Sequence, residues 1–538
     1  MPQTTDLLAR ALSRNTWSTV FTGTCGPPER GDHAYNLALV PDADEPNLGA
    51  EADEPNLGAQ ELGATPANDN LRSSALQGGA YLAAREIVGI GIRMIGVVIV
   101  TRLIGPSSFG VYASAAAFVI VVAVMAQMGM EVYLIRQTEE PSTELYDQVF
   151  TFLLVVSVGL SAVAAGLVVM AQHLIHGFEP TGRVTLVLLI SVPFNVLWSP
   201  AQAKIERRFG YRHMAWLELG GDITLYAVAV ILAFAGAGAM SLAIAYVAWQ
   251  IWLLVGSCWL AKLQPRWNWS GTAIRDLVRH GVPYSTSAIV TMLKGLINPI
   301  VVGYFYGTTG VGYVALALRL VDTLGFAGRA TWRLSLVAMT RVREQRDRLQ
   351  RGIQEGMLLQ LLGSAAPIVA LAMLAKWIVP LAFGSVWLPA VPVLILLSNG
   401  RLITAPLTLE YAFLYTHSRN TLIVVATAIN TAVTFGLAIP FVAWLGINGF
   451  GWAALIGSVT WIHLHMQARR IVPYSYLPLL PYYVAMLPVT TFSLLRWPVD
   501  LLVFVPGIIV LMMPSIRAEL AKIVRVTWTG VVRRGVVH

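Results

Sequence analysis

Thr101-Arg-Leu-Ile-Gly-Pro-Ser-Ser-Phe-Gly-Val-Tyr-Ala113 decides how the rest of the chain is read. Pro106 and the two glycines mark a tight turn, and long apolar runs flank it, beginning near residues 87 and 109. Each run has the length a helix needs to cross a bilayer, about 17–25 residues. The same design returns in Gly307-Thr-Thr-Gly-Val-Gly-Tyr-Val-Ala315. There both glycines and the alanine align with Gly105, Gly110 and Ala113 at an offset of 202. A helix–turn–helix unit repeated at that distance predicts two halves in one orientation, related by an axis along the membrane normal.

Outward from these turns, fourteen spans are expected, beginning near residues 87, 109, 148, 184, 216, 239, 281, 308, 353, 380, 420, 447, 479 and 499. Of 37 Lys and Arg residues, thirty fall in alternate gaps or in the tails. Arg102, Arg183, Lys376 and Arg496 lie on the opposite side, and Arg93, Lys294 and Arg319 lie within spans. The positive-inside rule then puts both termini in the cytoplasm. The expected divisions are a disordered acidic cytoplasmic tail at 1–80, six-helix lobes at 81–262 and 281–470, two further transmembrane helices at 476–516, and a basic cytoplasmic tail at 517–538. Prolines at 193, 283, 299, 392, 406 and 488 fall in the fourth, seventh, tenth and thirteenth spans. Broken helices are tolerated there if neighbours or water satisfy the freed backbone groups.

A mean hydropathy of +0.64, with 56% hydrophobic and 12% charged residues, excludes a soluble globular protein. Alternating ten-residue segments of the outer-membrane barrel type are absent. The fold class is therefore all-α integral membrane. The formal charge of +8 does not call for nucleic acid as a partner. Residues 1–84 hold eleven acids and four arginines, so the positive excess sits on cytoplasmic gaps beside anionic lipid head groups. Cys25 and Cys258 are too few for a disulfide or metal framework. No apolar core follows the early arginines, so a cleaved signal peptide is not expected. In the tail, Ala43 to Ala50 recurs as Ala52 to Ala59, which reads as a short duplication rather than a folded module.

The turn at Thr101–Ala113, the following Gly129-Met-Glu-Val-Tyr-Leu-Ile-Arg136, and Arg319-Leu-Val-Asp322 after the second turn resemble the polysaccharide transporters (Wzx-type oligosaccharide flippases) of the multidrug/oligosaccharidyl-lipid/polysaccharide (MOP) exporter superfamily. The resemblance covers about residues 80–515 and fixes the superfamily better than the cargo. It implies a MOP/MATE-like fold and export of undecaprenyl-diphosphate-linked oligosaccharides across the bacterial inner membrane. Polysaccharide polymerase and chain-length regulator proteins are its implied partners. The acidic tail is not part of the usual pattern.

Intramembrane polar residues supply the candidate site. Glu86, Gly89, Arg93 and Gly96 share one helical face. An Arg two turns inside the bilayer costs about 2.5–3.5 kcal/mol on insertion scales, so it needs a cavity or a partner. Arg93 either meets an anionic diphosphate, which Arg can grip bidentately, or packs against Glu86 or another acid. Ser287, Thr291, Lys294 and Asn298 form a second stripe, which either lines the same cavity with Lys294 as a second cation or glues helices together. Arg319 and Asp322 suit a local ion pair one turn apart, at a position where Arg319 is also a candidate for substrate and Asp322 for a coupling ion. Glu218 and Asp222, at i and i+4 with no cation in their span, either couple transport to H⁺ or Na⁺ or lie in the head-group zone beside Trp216. Glu410 and Asn399 stay open between cavity and cytoplasm. Trp198, Trp216, Trp267, Trp387 and Trp497 read as interfacial anchors.

The chain has no phosphate-binding G-x-x-x-x-G-K-[ST] loop and no His/Cys/Asp cluster at metal-ligand spacing, and His463 and His465 face different sides of a helix. Short outer gaps disfavour a polysaccharide polymerase or ligase. These absences disfavour an enzyme, and the family resemblance implies a lipid-linked oligosaccharide flippase. The rivals are a flippase of lipid-linked peptidoglycan precursor and a MATE-like cation or drug antiporter.

Overall fold

The computed structural model describes residues 66–518 apart from 136, 138, 209, 272–274, 276, 279–287, 325–338, 340–345, 418, 496–498 and 515, with side chains from Val88 on except at 211, 346, 415, 420, 493, 499 and 500. The acidic tail and its repeat, the side chain of Glu86, Pro283, Ser287, Trp497 and most of the basic tail lie outside the described residues.

All regular structure among the described residues is helical. In chain order the helices are α1 (Pro66–Gln127), α2 (Met130–Ile135), α3 (Thr143–Leu174), α4 (Glu179–Leu189), α5 (Ser191–Leu197), α6 (Ser199–Arg207), α7 (Tyr211–Phe234) and α8 (Ala239–Ala261). Then come a π turn at Asn298–Val302, α9 (Gly303–Leu324), α10 (Arg346–Phe383), α11 (Ala390–Thr404), α12 (Leu407–Thr416), α13 (Asn420–Leu445), α14 (Asn448–Gly457), α15 (Trp461–Arg469), α16 (Leu480–Thr490) and α17 (Val505–Met512).

Among the described residues eight helices are long and apolar enough to cross a membrane, or nine if the bent pair α11–α12 is one span. Two of these are double. Val88–Ile135 runs for 48 residues, whereas about 20 suffice for a bilayer core. Gly105 breaks it with φ 73° and ψ 175°, and Gly307 breaks Ala288–Leu324 with φ 62° and ψ −166°. Only glycine visits such angles at no steric cost. With α14–α15 and the shorter apolar helices at Leu477–Thr490 and Leu501–Met512, about fourteen crossings fit the chain. This is a multi-pass α-helical membrane protein, and apolar side chains such as Ile95, Val163, Trp259 and Trp444 are exposed where lipid would cover them.

Helix starts differ from the sequence expectation where polar first turns precede the apolar run, as at Thr143 and Arg346. The largest revision concerns the tenth span. α10 carries Pro367 and Pro380 and continues to Phe383, so the next helix begins at Ala390 rather than near 380. Trp387 corrects another expectation. It is fully buried and packs edge-on against Phe109 (5.8 Å) and Tyr313 (6.0 Å), below the two turns, instead of anchoring an interface.

Those turns clasp each other. A Cβ on Gly110 would lie 1.7 Å from the Thr308 carbonyl oxygen, and one on Gly312 would lie 2.1 Å from that of Pro106. Each half thus supplies a glycine that admits the other half's backbone, and the Ser107 and Thr308 hydroxyls bond at 3.1 Å across the seam. At the opposite end, Arg207 donates to the carbonyls of Leu134, Ile135, Gln137 and Glu139, so α6 caps the C-terminus of α2. Beside it Arg208 grips Glu140 at 2.7 Å and holds that carboxyl below the usual carboxylate range. Arg207 and Arg208 thus act as a clamp as well as adding positive charge to this gap.

Candidate functional site

A cavity of about 530 Å³ lies between α1 and α9, with α4, α5 and α8 completing its wall. Arg93, Arg319, Asp322, Asn298, Ser191 and Asn195 bring polar groups to an otherwise apolar and aromatic lining.

Arg93 reaches the cavity through the glycine face of α1. Its Nη1 donates to Asp222 Oδ2 of α7 at 2.8 Å, with side-chain exposures of 28% and 8%. Gly89 makes room for the pair, since a Cβ there would stand 3.0 Å from Arg93 Nη1 and 3.4 Å from Asp222 Oδ2. Two turns on, Gly96 lies directly under the ring of Tyr226, one turn from Asp222. The Gly89–Arg93–Gly96 face therefore locks onto the Asp222–Tyr226 face of α7. The cation that meets Asp222 comes from another span. Glu218 is half-buried near the start of α7.

Tyr226 also links the two halves. Its hydroxyl accepts a 2.7 Å hydrogen bond from Arg319 Nη2 of α9. The local-pair reading of Arg319 with Asp322 did not foresee this reach, although both residues line the cavity. The stripe of the seventh span divides. Asn298 faces the cavity, ties its Nδ2 to the Val311 carbonyl at 3.2 Å, and keeps Oδ1 buried with no hydrogen-bond partner among the described residues. Lys294 instead donates to Asn430 Oδ1 of α13 at 2.7 Å. Asn430 is held rigidly, its Nδ2 bonding the Gly457 carbonyl (2.8 Å) and Thr460 (3.0 Å). Asp322 and Arg401 are the charged groups that act on Lys294. Thr291 is exposed on the same segment.

Among the described residues the cavity lining carries Arg93, Arg319 and Asp322, with Asp222 paired to Arg93 and Lys294 beside the lining on Asn430. Arg319 and Lys294 are hydrogen-bonded to neutral groups, which orient them without cancelling their charge. Such a site suits an anion that accepts charge-assisted hydrogen bonds. Sequence reasoning missed Tyr226 and Asn430, because Tyr226 meets Arg319 only where the halves pack and Asn430 meets Lys294 only where two distant helices of the second half pack. Glu410 is fully buried, with its Oε1 2.6 Å from His465 Nδ1. Asn399 accepts from Thr490 of α16. Among the described residues no group of three His, Cys, Asp or Glu side chains has the arrangement of a metal site.

The family model described as a polysaccharide biosynthesis protein matches residues 99–392, more than half of the chain. No curated protein sequence matches it. Among solved structures, a lipid II flippase in an inward closed conformation aligns with a TM-score of 0.67 at 14% identity, covering 84% of this chain and 99% of that one. A multidrug resistance MATE family transporter of the MOP superfamily, inward-facing, gives 0.50 at 16% identity, with 72% and 94% covered. A MOP superfamily transporter from Pyrococcus furiosus gives 0.50 at 14% identity, with 73% and 95% covered. At these identities the likeness is one of fold, the MOP/MATE-like fold that the family resemblance implies.

Proposed function

The chain belongs to the polysaccharide biosynthesis protein family, and from that premise we propose that it is a flippase. Its proposed cargo is an undecaprenyl-diphosphate-linked oligosaccharide, carried across the bacterial inner membrane for exopolysaccharide, capsule or O-antigen assembly. The observation that carries this reading is the pair of cations, Arg319 and Lys294, oriented by neutral partners beside a cavity between the two halves. A diphosphate offers several anionic oxygens, and Arg binds such groups in a fork. Arg93 adds a third cation whose charge Asp222 already balances, so its first task is to join α1 to α7. The sugar would occupy the cavity, near its few polar groups, while the polyprenyl chain stays in lipid.

Alternating access needs two closures that cannot open together. The clasp of Gly110 and Gly312 supplies one, at the end that the arginine distribution assigns to the outside. Movement of one half against the other would part the clasp and expose the cavity there. A second reading, export of a lipid-linked peptidoglycan precursor, is favoured by the fold shared with the lipid II flippase. A cation antiporter is disfavoured by the two cations, Arg93 and Arg319, that line the cavity. The test is to deplete the chain in its host and identify the diphosphate-linked lipid that accumulates on the inner leaflet. An oligosaccharide repeat unit supports the first reading, peptidoglycan precursor supports the second, and no accumulated lipid of either kind overturns both.

A further inference from the structure

The strongest unassigned chemistry lies away from the cavity, where α12, α15 and α16 meet. Glu410 of α12 has no exposed surface, and its Oε1 stands 2.6 Å from His465 Nδ1 of α15, a side chain only 13% exposed. Its second oxygen, Oε2, is buried, and the buried Tyr474 hydroxyl stands close enough to act on the carboxylate. The imidazole is packed edge-on by Tyr474 (5.3 Å) and Tyr476 (4.7 Å). Tyr411, Tyr474, Tyr476, Tyr483 and Arg469 are the other titratable or charged groups that act within the cluster. Burial and the Glu410 charge push the Tyr474 and Tyr476 hydroxyls up, so the tyrosines stay protonated.

The position is mechanical as well. Pro406 has no N–H to give the Leu402 carbonyl, and α11 and α12 are bent by 46° across this break. Tyr483 of α16 supplies a substitute donor to Leu402 and Ile403, at 3.4 and 3.2 Å. Glu410 sits one turn beyond the break. A carboxylate and an imidazole in such a place are stable together with one proton between them, because removing it would leave an uncompensated buried charge.

We propose that Glu410 and His465 share one exchangeable proton and form the H⁺ site that couples transport to the movement of the broken span. A proton from water at the arginine-rich end enters between Oε1 and Nδ1. Its departure leaves a lone carboxylate that α12 and α15 accommodate only by separating. This assignment rests on the transport reading and adds the ion and its place, replacing Asp222, which Arg93 neutralises.

The test has two arms. In the first, the full chain in nanodiscs is titrated while infrared spectra record protonated-carboxyl bands. Wild type should show a band that Glu410→Gln removes, and His465→Gln should move its midpoint by about one pH unit or more, as coupled sites do. The midpoint should be the same in NaCl and in choline chloride. A spectrum unchanged by Glu410→Gln, or a midpoint that follows Na⁺, overturns the proton site. Glu410→Gln keeps the shape and a hydrogen bond to the ring. His465 imidazole NMR shifts in the unmodified chain give a readout independent of any folding defect, and no titration there also overturns the proposal. In the second arm, export is followed in cells lacking the chain and supplied with each variant. At least tenfold loss with normal membrane insertion is expected. Full export by Glu410→Gln with its band gone overturns coupling alone, whereas failure of wild type to restore export strikes the transport reading instead.

Discussion

Replacing Gly110 by Ala puts the outer clasp to the test with a single methyl group. The new Cβ would fall 1.7 Å from the Thr308 carbonyl oxygen, and ordinary contact begins at about 3.4 Å. Both the carbonyl and the Gly110 backbone belong to turns pinned by packing, so neither can rotate aside as a side chain would. The closed seam must widen, losing the Ser107–Thr308 hydrogen bond. Overpacking of this kind costs about 1–3 kcal/mol, which moves a two-state equilibrium by about 5–150-fold. The assay is the labelling rate of Thr308→Cys by a membrane-impermeant thiol reagent, with Cys25 and Cys258 changed to Ser. Gly110→Ala should raise that rate at least fivefold. Gly91→Ala, where nothing stands within 4 Å, should leave it unchanged. Equal labelling of wild type and Gly110→Ala would show that the turns do not form a closure.

Asp222→Ala should destabilise the folded protein by about 2–3 kcal/mol, below the 3–5 of a fully buried pair, because Arg93 keeps 28% of its side chain exposed. Arg93→Met with Asp222→Leu should recover most of the loss in thermal unfolding, and no recovery would show that the pair is not the cause. Tyr226→Phe removes the acceptor for Arg319 and should cut export while leaving unfolding within about 1 kcal/mol of wild type; unchanged export would make that link dispensable. Arg207→Ala strips four carbonyls of their donor and should speed proteolysis between residues 134 and 142, with no change in cleavage refuting the clamp. In the same region the Arg208–Glu140 contact lowers the folded carboxyl's pKa. Its contribution is therefore present above the ordinary Glu value of about 4.3 and is lost as pH falls through the folded value.

Much of this fold was legible because its determinants are local. A glycine that must take positive φ at 105 and again at 307 leaves a readable mark, and apolar run lengths report the bilayer directly. The charged positions Arg93, Lys294 and Arg319 were visible for the same reason, since charge inside an apolar run stands out. Their partners were not. Asp222 is 129 residues from Arg93, and Asn430 is 136 from Lys294, separations at which no spacing rule operates. Trp387 was misread because a Trp near a helix end looks alike whether it meets lipid head groups or fills the junction of two halves. Glu410 stayed undecided until α15 brought His465 against it.

The cationic cavity itself is tested most directly by binding. Purified chain in nanodiscs should bind a short-chain polyprenyl diphosphate more tightly than the corresponding monophosphate. Arg319→Gln should weaken diphosphate binding by about tenfold or more, the equivalent of one charge-assisted hydrogen bond at 1.5–3 kcal/mol. Equal diphosphate affinity in wild type and Arg319→Gln would contradict the claim that this cavity receives an anionic lipid head.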